Sequence, residues 1–277
     1  MKTRFAPSPT GYLHRGHVWS ALCTAAVAKA KNASMHLRLE DHDTLRCTPH
    51  FADEIRRDLE WLGFAWSSES VQSERAEIYQ HHFNELLQRN FLFGCSCTRS
   101  QIRNGIYAGN CRNLHLPFEK NTVRFRLPEQ TLIRWHDERC GDFEEDVATS
   151  CGDFVLRDRN GMWTYQFAVV VDDWEENIDL IVRGEDLLSS TARQLLLAST
   201  LGRKKMPTFL HHGLLLEVDG NKLSKRDGAA GICAERKAGV SPKKLLAEVC
   251  REAMPNADIP QEISWSEAIN LYQLYFP

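Results

Sequence analysis

The stretch MKTRFAPSPTGYLHRGHVWSALCTAAVAK, residues 1–29, decides the fold. A short apolar run is broken by two prolines and a glycine, and an Ala-rich helix follows. A strand, a tight turn and a helix start in this order point backbone N–H groups and the positive end of a helix dipole at one spot, which suits an anion. His14 and His17 are three residues apart, so both can reach one phosphate group. Two ordinary surface histidines are the alternative.

The composition is that of a compact globular protein. The chain has 277 residues, 43% of them hydrophobic, with a formal charge of −3. This length accommodates one large or two modest cores. The near-neutral charge neither indicates nor excludes RNA binding, because a local basic patch would be enough. The sequence shows neither an apolar signal-peptide core nor the ~20 apolar residues of a membrane span, so we expect a cytoplasmic protein without a disulfide framework.

Acidic residues follow the next predicted strand, which covers residues 35–39. They are Glu40, Asp41 and Asp43, at the carboxyl end of that strand. In open α/β sheets ligands bind at this edge. These carboxylates could hold an amine or a magnesium ion there, and a solvated turn is the alternative.

Two amphipathic helices are predicted next, over residues 51–62 and 78–88, and we assign them no chemistry. Their inward side chains are apolar and recur at helical spacing. The side chains expected to face inward are Ile55, Leu59, Leu62, Phe83, Leu86 and Leu87.

Three cysteines cluster in residues 93–112, FGCSCTRSQIRNGIYAGNCR, where their thiolates could bind zinc tetrahedrally. Three free cysteines in a loop are the alternative. The candidate ligands are Cys95, Cys97 and Cys111, with a fourth from Tyr107, His115 or water. The remaining cysteines lack such clustering and are expected to be packing residues, namely Cys23, Cys47, Cys140, Cys151, Cys233 and Cys250.

A β-rich block and a second run of alternating elements follow. Residues 122–160 alternate like strands and end in an Asn-Gly hairpin turn, so residues 93–160 are predicted to be an insertion. Helices are then expected over 164–174 and 191–201, and buried strands over 177–188 and 212–218. Strands alternating with helices on both sides of the insertion predict an α/β fold with a doubly wound parallel sheet.

The final part of the chain combines a basic loop with a helical segment. Residues 220–229, GNKLSKRDGA, place Lys222 and Lys225 between glycines, where they could neutralise a triphosphate. An ordinary solvated basic loop is the alternative. Residues 231–277 are predicted to be largely helical, with one helix beginning at Ser241 and Pro242. Its apolar stripe is expected to be core and comprises Leu245, Leu246 and Val249.

These motifs together resemble a known family over nearly the whole chain. FAPSPTGYLHRGH (5–17) resembles the HIGH signature of class I aminoacyl-tRNA synthetases in their glutamate-specific form, and KLSKR (222–226) resembles the matching KMSKS-type loop. LRLEDHD (37–43), TYQFAVVVDDW (164–174) and VRGEDLL (182–188) lie between them in the expected order. Only about 50 residues follow the KLSKR loop, and with the Cys-x-Cys, Tyr and Cys pattern this is similar to the truncated glutamyl-Q tRNA(Asp) synthetases.

The resemblance implies four segments and a Rossmann-like core. Residues 1–92 and 161–230 would form the two halves of the nucleotide-binding core. Residues 93–160 would be a zinc-binding insertion of the acceptor type, and 231–277 a helical remnant of the stem-contact region, with no anticodon-binding domain.

A glutamate pocket is also implied by the resemblance. Two arginines can hold the two carboxylates of glutamate, and Glu40 supplies the opposite charge for its ammonium group. The implied pocket residues are Arg4, Phe5, Ala6, Pro7, Ser8, Glu40, Tyr165 and Arg183. The implied zinc ligands are Cys95, Cys97, Tyr107 and Cys111, which hold one structural ion because four protein ligands leave no open position.

The implied chemistry is activation of glutamate by ATP with magnesium. His14, Gly16, His17, Lys222 and Lys225 would bind the ATP, and His14, His17 and Lys225 would stabilise charge on the phosphates during the displacement. The glutamyl group would then pass to the queuosine base in the anticodon of tRNA(Asp). We expect a monomer with glutamate, ATP and this tRNA as partners and no membrane.

Two other functions stay open from sequence. One is a short glutamyl-tRNA synthetase that charges a tRNA 3′ end, and the other is a non-catalytic binding module derived from a synthetase. The chain also departs from the family pattern twice. Arg15 replaces an apolar residue and either adds a phosphate contact or points to solvent, and Thr44 and Leu45 follow the acidic motif where related sequences often have proline.

Overall fold

The structure is a computed structural model that describes residues 1–102, 105–215 and 231–276. It divides into two compact units. Unit 1 comprises Met1–Ser73, Asp179–Leu187 and Phe209–Pro277, and unit 2 comprises Glu74–Ile178 and Leu188–Thr208.

The described strands and helices occur in the alternating order that the sequence predicts. The strands are β1 (Lys2–Phe5), β2 (Ser34–Leu39), β3 (Ser68–Val71), β4 (Leu92–Cys95), β5 (Thr122–Phe125), β6 (Leu132–Asp137), β7 (Gly141–Asp146), β8 (Val155–Arg157), β9 (Leu180–Gly184) and β10 (Thr208–His212). The helices are α1 (Arg15–Ala30), α2 (Pro49–Leu62), α3 (Ala76–Gln88), α4 (Val147–Ser150), α5 (Tyr165–Glu175), α6 (Thr191–Leu201), α7 (Ile232–Lys237), α8 (Pro242–Ala253) and α9 (Trp265–Tyr275).

Unit 1 is built on a sheet with the strand order β3-β2-β1-β9-β10. β1 pairs in parallel with β2 on one side and with β9 on the other, and β2 pairs in parallel with β3. α1 leads from β1 to β2, and its Ala, Val and Leu side chains are buried. α8 and α9 pack against α1, and the predicted stripe of α8 is fully buried, which confirms it as core.

Unit 2 contains antiparallel strands beside a helical core. β4, β5 and β8 form a three-stranded sheet, and β6 pairs with β7 as a hairpin. α3, α5 and α6 pack their apolar faces with β5 in one core. The α/β class, the parallel sheet and the helices over the predicted segments are therefore confirmed.

Several predicted details are wrong. Leu87 was expected to face inward but is 43% exposed, because α3 buries the side of the helix that carries Phe83 and Leu86. The strand predicted over 212–218 lies earlier, at β10, and residues 213–215 are not in a strand. The three leucines after Gly213 suggested a strand, yet the paired backbone is TFLHH. β3, with the polar sequence SESV, was not predicted at all.

Candidate functional site

The carboxyl edge of the unit 1 sheet is where the candidate binding residues collect. β1 has a parallel neighbour on each side, so the strand order reverses at β1. In open α/β sheets such a reversal opens a crevice outside the carboxyl ends of the strands. The turn after β1 leads into α1 at this edge, and the acidic motif follows β2 there.

Strand register places both predicted arginines on one face of the sheet. Thr3 on β1 pairs with Leu180 on β9, so these two side chains share a face of the sheet. Arg4 is one residue after Thr3 and Arg183 is three residues after Leu180, so both arginines lie on the opposite face. Side chains alternate between the two faces of a strand, so these arginines share a face. The same reasoning adds Arg38, because Arg4 pairs with His36. The structure therefore brings Arg4 and Arg183 to neighbouring strands on a common side.

Both arginines are buried, 3% and 5% exposed, and their hydrogen bonds include neutral acceptors on neighbouring strands. Arg4 Nη1 donates to Val182 O at 3.3 Å. Arg183 Nε donates to Nε2 of His211 at 2.9 Å, and its guanidinium lies over the ring of Phe209. Because His211 accepts through Nε2, the bond requires a tautomer in which Nδ1 carries the proton. Sequence reasoning missed His211, which only the pairing of β9 with β10 places here.

The segment Phe5–Ser8 is fastened to the start of the acidic motif. Glu40 N donates to Pro7 O at 3.0 Å, and the Glu40 carboxylate lies 3.6 Å from the fully buried Arg38. Ser8 Oγ lies 3.7 Å from the Cys47 thiol, which also lies 3.8 Å from Glu40 O. Cys47 was predicted to be a packing residue, but it joins two predicted pocket residues. Burial raises the pKa of its thiol, which favours the neutral form at this position.

The other two acidic residues are engaged locally. Asp41 accepts hydrogen bonds from the backbone N and the hydroxyl of Ser73, both at 2.7 Å. Asp43 pairs with Arg46. These contacts match the solvated-turn alternative for Asp41 and Asp43, and they distinguish both from Glu40, which is 7% exposed.

His14 and His17 lie together at the start of α1. Their ring centroids are 3.8 Å apart, and the backbone N of His14 donates to Nδ1 of His17 at 3.1 Å. His14 is the N-cap residue and Gly16 lies in the first turn. Both imidazoles therefore stand where the N–H groups and dipole of α1 favour an anion, as predicted.

The Arg15 guanidinium is engaged by carboxylates, so the expectation that it simply points to solvent is wrong, and a phosphate contact stays a prediction. Its guanidinium pairs with three carboxylates from α7 and α8, namely Glu235 at 3.3 Å, Glu248 at 2.6 Å and Glu252 at 2.5 Å. Burial acts to lower the pKa of Arg15, but the hydrogen bonds to Glu252 and Glu248 outweigh it and raise that pKa. Arg15 thus fastens the start of α1 to the last part of the chain.

The predicted lysines, Lys222 and Lys225, lie outside the described residues. The described residues on either side both bond to α1 or to the turn before it. Trp19 Nε1 donates to Gly213 O at 3.0 Å, and Ile232 N donates to Leu13 O at 2.9 Å. Any side chain at Gly231 would collide with Leu13 O, since a Cβ there would lie 2.3 Å from it.

Tyr165, also predicted for the pocket, begins α5 in unit 2, and its role stays a prediction.

The cysteine cluster of unit 2 has the dimensions of a tetrahedral zinc site. The Sγ atoms of Cys95, Cys97 and Cys111 all lie within 4.8 Å of one another. Cys97 Sγ is 3.6 Å from Cys111 Sγ, and Cys95 Sγ is 3.5 Å from the Tyr107 hydroxyl. With Zn–S of about 2.3 Å and Zn–O of about 2.0 Å, a tetrahedron has S to S edges of ~3.8 Å and S to O edges of ~3.5 Å. The residues present therefore fit zinc with tyrosine as fourth ligand, and the alternative ligand His115 is exposed.

Two thiols of this cluster, those of Cys97 and Cys111, have pKa values shifted in opposite directions. Burial and the hydrogen bonds from its thiol neighbours raise the pKa of Cys97 to about 11. Burial acts to raise the pKa of Cys111 as well, but hydrogen bonds from the Ser96 backbone and Tyr107 outweigh it and lower that pKa to about 7. Three thiols this close cannot all ionise easily on their own, whereas a bound cation favours every thiolate.

Local structure explains how Tyr107 reaches the cysteines. β4 carries Cys95 and pairs with β5, and Thr122 on β5 donates to Cys95 O at 2.8 Å. Tyr107 forms an isolated β-bridge with Gly152. A Cβ at Gly152, whose φ is +64°, would lie 2.4 Å from Tyr107 O, so this close approach requires glycine. The backbone N of Cys111 donates to the Tyr107 hydroxyl at 2.7 Å.

A second group of ligand-type side chains, in unit 1, is an ion-pair cluster. Glu54, Asp58 and Cys233 also lie within 4.8 Å of one another and are buried. Arg236 fills the space between the acids, 2.7 Å from Glu54 and 2.8 Å from Asp58. Lys237 lies 3.3 Å from Glu54 as well. Protein cations already neutralise these carboxylates, so the group does not fit a metal ion.

Of the helices in the described part of the chain, none is both long enough and apolar enough to cross a membrane.

Residues 1–274 match the family model described as tRNA synthetases class I (E and Q), catalytic domain. The chain is 42% identical to a glutamyl-Q tRNA(Asp) synthetase from Ectopseudomonas mendocina, over 96% of this chain and 91% of that relative. It is 35% identical to a glutamate–tRNA ligase from Aquifex aeolicus, over 99% of this chain and 62% of that relative.

Among solved structures, the fold is similar to a glutamate tRNA ligase from Elizabethkingia meningosepticum, crystallised in complex with its amino acid. The TM-score is 0.78 at 30% sequence identity, covering 97% of this chain and 64% of that one. The chain thus spans slightly less than two thirds of that structure.

Proposed function

The chain belongs to the class I tRNA synthetases for glutamate and glutamine, and on that premise we propose that it activates L-glutamate with ATP and transfers it to the queuosine base of tRNA(Asp). It is a ligase of the aminoacyl-tRNA synthetase type. The observation that carries the choice of glutamate is the pair of buried arginines, Arg4 and Arg183, on one face of the sheet beside Glu40.

Charge complementarity supports glutamate as the amino acid. A guanidinium binds a carboxylate through two parallel N–H donors, so two arginines suit a substrate with two carboxylates. Glu40 would hold the ammonium group, and the segment from Phe5 through Ala6 and Pro7 to Ser8 would line the pocket, with Tyr165. An amino acid without the second carboxylate would leave one buried guanidinium without a substrate carboxylate, which disfavours its binding steeply.

Activation is an in-line displacement that needs no enzyme nucleophile. The glutamate α-carboxylate attacks the α-phosphate of ATP, pyrophosphate leaves, and glutamyl-adenylate stays bound. His14 and His17 would contact the phosphate oxygens as charge builds, with Gly16 allowing close approach. Lys222 and Lys225 would bind the phosphates and, with magnesium, stabilise the departing pyrophosphate. Catalysis here is positioning and charge stabilisation.

Zinc would be structural. Cys95, Cys97, Tyr107 and Cys111 would hold one ion, which would fix the segment between β4 and β5. Residues 93–160 would then act as the insertion between the halves 1–92 and 161–230 of the nucleotide core, with 231–277 as the helical remnant. The proposal places the reaction in the cytoplasm, where tRNA is available, and needs no second copy of the chain.

In the second step a hydroxyl of the queuosine cyclopentenediol attacks the adenylate carbonyl and AMP leaves. The higher identity to a glutamyl-Q tRNA(Asp) synthetase than to a glutamate–tRNA ligase supports this acceptor. A tRNA 3′ end is the second candidate acceptor, favoured by the structural similarity to a glutamate tRNA ligase.

Transfer of labelled glutamate tests the proposal. We expect label on queuosine-containing tRNA(Asp), and none on the same tRNA without queuosine or on tRNA(Glu). Label on tRNA(Glu) alone would establish the second candidate.

Lys225→Ala is expected to reduce adenylate formation by a factor of ~100 or more, since loss of one donor to a developing anion typically costs this much. Near-normal adenylate formation in that variant would refute the role of Lys225.

A further inference from the structure

A buried cation lies directly on the predicted zinc ligand Tyr107. The Cζ atom of Arg124 is 3.9 Å from the centroid of the Tyr107 ring, and Arg124 is 5% exposed. Its Nη1 donates to Asp153 O, a neutral acceptor, at 2.7 Å. Within residues 1–102, 105–215 and 231–276, no carboxylate lies within ion-pair distance of Arg124.

A buried guanidinium without a carboxylate needs another source of negative charge, because burying an unpaired charge is costly. Three thiolates and a phenolate carry more negative charge than one zinc ion neutralises. The ligand set is therefore a net anion, and Arg124 is a buried cation in contact with one of its side chains, whereas the exposed Arg159 contacts only the backbone O of Cys97. The excess negative charge of the ligands stabilises the buried guanidinium of Arg124, and that guanidinium in turn balances the ligand charge.

We propose that Arg124 is a positioning residue for the fourth zinc ligand. Its charge balances the ligand set, and its plane holds the Tyr107 ring so that the hydroxyl faces Cys95. This inference rests on the zinc site proposed above. Outer residues that orient metal ligands commonly contribute 10–100-fold to metal affinity.

The placement of Arg124 follows from the same strand pair that carries the cysteines. Arg124 pairs with Phe93 across β4 and β5, two residues from Cys95. Tyr107 is held at its backbone by Gly152 and at its hydroxyl by the Cys111 backbone. The face of the ring is the part that Arg124 covers. The three contacts together leave the ring little freedom to turn away from the sulfurs.

The chain contains a matched control in Arg126. Its Cζ lies 5.1 Å from the centroid of the Phe93 ring, and its Nη2 donates to Arg112 O at 2.7 Å. The Phe93 and Tyr107 rings are 6.1 Å apart. Arg126 is thus an arginine over an aromatic ring in the same cluster, but its ring has no ligand atom.

Zinc competition with a chromogenic chelator on the full-length protein tests the proposal. We expect Arg124→Gln to weaken zinc binding ~10–100-fold and Arg126→Gln to change it by less than about threefold, because Phe93 offers no ligand. Arg124→Lys keeps the charge without the plane and should give an intermediate loss. If Arg124→Gln does not fold, as judged by circular dichroism, Arg124→Lys replaces it in the comparison.

A Tyr107→Phe background separates positioning from general stability. If Arg124 acts through the tyrosine ligand, replacing Arg124 should weaken zinc binding no further once the hydroxyl is gone. An equal further loss in that background, or equal losses for Arg124→Gln and Arg126→Gln, would overturn the proposal, as would unchanged affinity in Arg124→Gln. Wild-type protein without zinc would instead refute the metal site itself, and with it the role of Arg124.

Discussion

Two buried clusters in this protein meet the same distance condition for a metal site, and their difference lies in the source of the counter-charge. Glu54, Asp58 and Cys233 of unit 1 and the three clustered cysteines of unit 2 each bring their ligand atoms within 4.8 Å of one another. In unit 1 the protein supplies cations that touch the acids directly. In unit 2, among the described residues, Arg124 lies over the ring of Tyr107 and Arg159 donates to the backbone O of Cys97, and neither of these contacts is to a sulfur.

The comparison teaches that proximity alone does not identify a metal site. Burying a charge requires a partner, and that partner is either a residue or a bound ion. Where arginine already satisfies the acids, a metal would have to displace it. Where thiols face each other and neutral hydroxyl groups, a bound ion would be the partner that completes the cluster. Each cluster can be broken separately to test this distinction.

The largest effect is expected from Cys95→Ser. Loss of one thiolate should release zinc and loosen residues 93–115, because a structural zinc site contributes directly to local folding. Elemental analysis and amide exchange of this segment measure the two effects. Cys140→Ser, in the turn between β6 and β7, is the control and should retain the metal. Full zinc content in Cys95→Ser would show that the cluster is not the metal site.

The second effect is expected in unit 1 and should leave zinc untouched. Arg236→Met removes the cation between Glu54 and the fully buried Asp58. Breaking a buried pair from one side typically destabilises by about 3–5 kcal/mol, since a carboxylate is left buried without a partner. Urea unfolding measures this.

Arg57→Met serves as the control for that prediction. Arg57 pairs with Glu54 at 2.8 Å, but its own side chain is 58% exposed. A cost below about 1 kcal/mol is expected for it, as for other exposed pairs. Equal costs for the two variants would mean that burial of the acids does not decide the energetics.

How much of the fold and of the candidate site could be predicted from the sequence depends on how far apart along the chain the interacting residues lie. β1, α1, α2 and the cysteine cluster were predicted because their determinants lie within about 20 residues, where spacing and turn residues act. The partners of Arg15 lie 220–237 residues away, and His211 meets Arg183 only through strand pairing. Arg124 stands in an ordinary alternating strand, so its place over Tyr107 needed the fold. β3 was missed because SESV has no apolar pattern and is specified by its pairing with β2.

Measuring the unfolding free energy as a function of pH tests whether Glu54 in the unit 1 cluster is ionised. The hydrogen bond from the Cys233 thiol, with those from Arg57 and Lys237, outweighs burial and lowers the pKa of Glu54 to about 2, from an ordinary 4.5. A lowered pKa means that the folded state prefers the carboxylate, so this stability is present above pH 4.5 and is lost as the pH falls towards 2.

We therefore expect the difference in unfolding free energy between wild type and Glu54→Gln to shrink across this window. Zinc release in acid, which follows protonation of the thiolates, affects both proteins equally and cancels in the difference. Chemical unfolding at several pH values between 6 and 2 measures it. A difference that stays constant over that range would contradict the assignment of a paired, ionised Glu54.

Apart from the Arg57→Met control, the smallest effect is expected for Arg15→Leu, because the Arg15 cluster is partly exposed whereas the Arg236 cluster is buried. The Arg15 side chain is 28% exposed and its three glutamates are 27–41% exposed. Water can therefore solvate the carboxylates when the arginine is gone, and a loss of about 1 kcal/mol in unfolding free energy is expected.

The dependence of this loss on salt concentration is the measurement that distinguishes the two clusters. In about 1 M sodium chloride, where the screening length is ~3 Å, the loss for Arg15→Leu should nearly vanish, whereas that for Arg236→Met should persist because buried pairs are screened much less. The same salt dependence in both variants would remove the distinction between the two kinds of cluster.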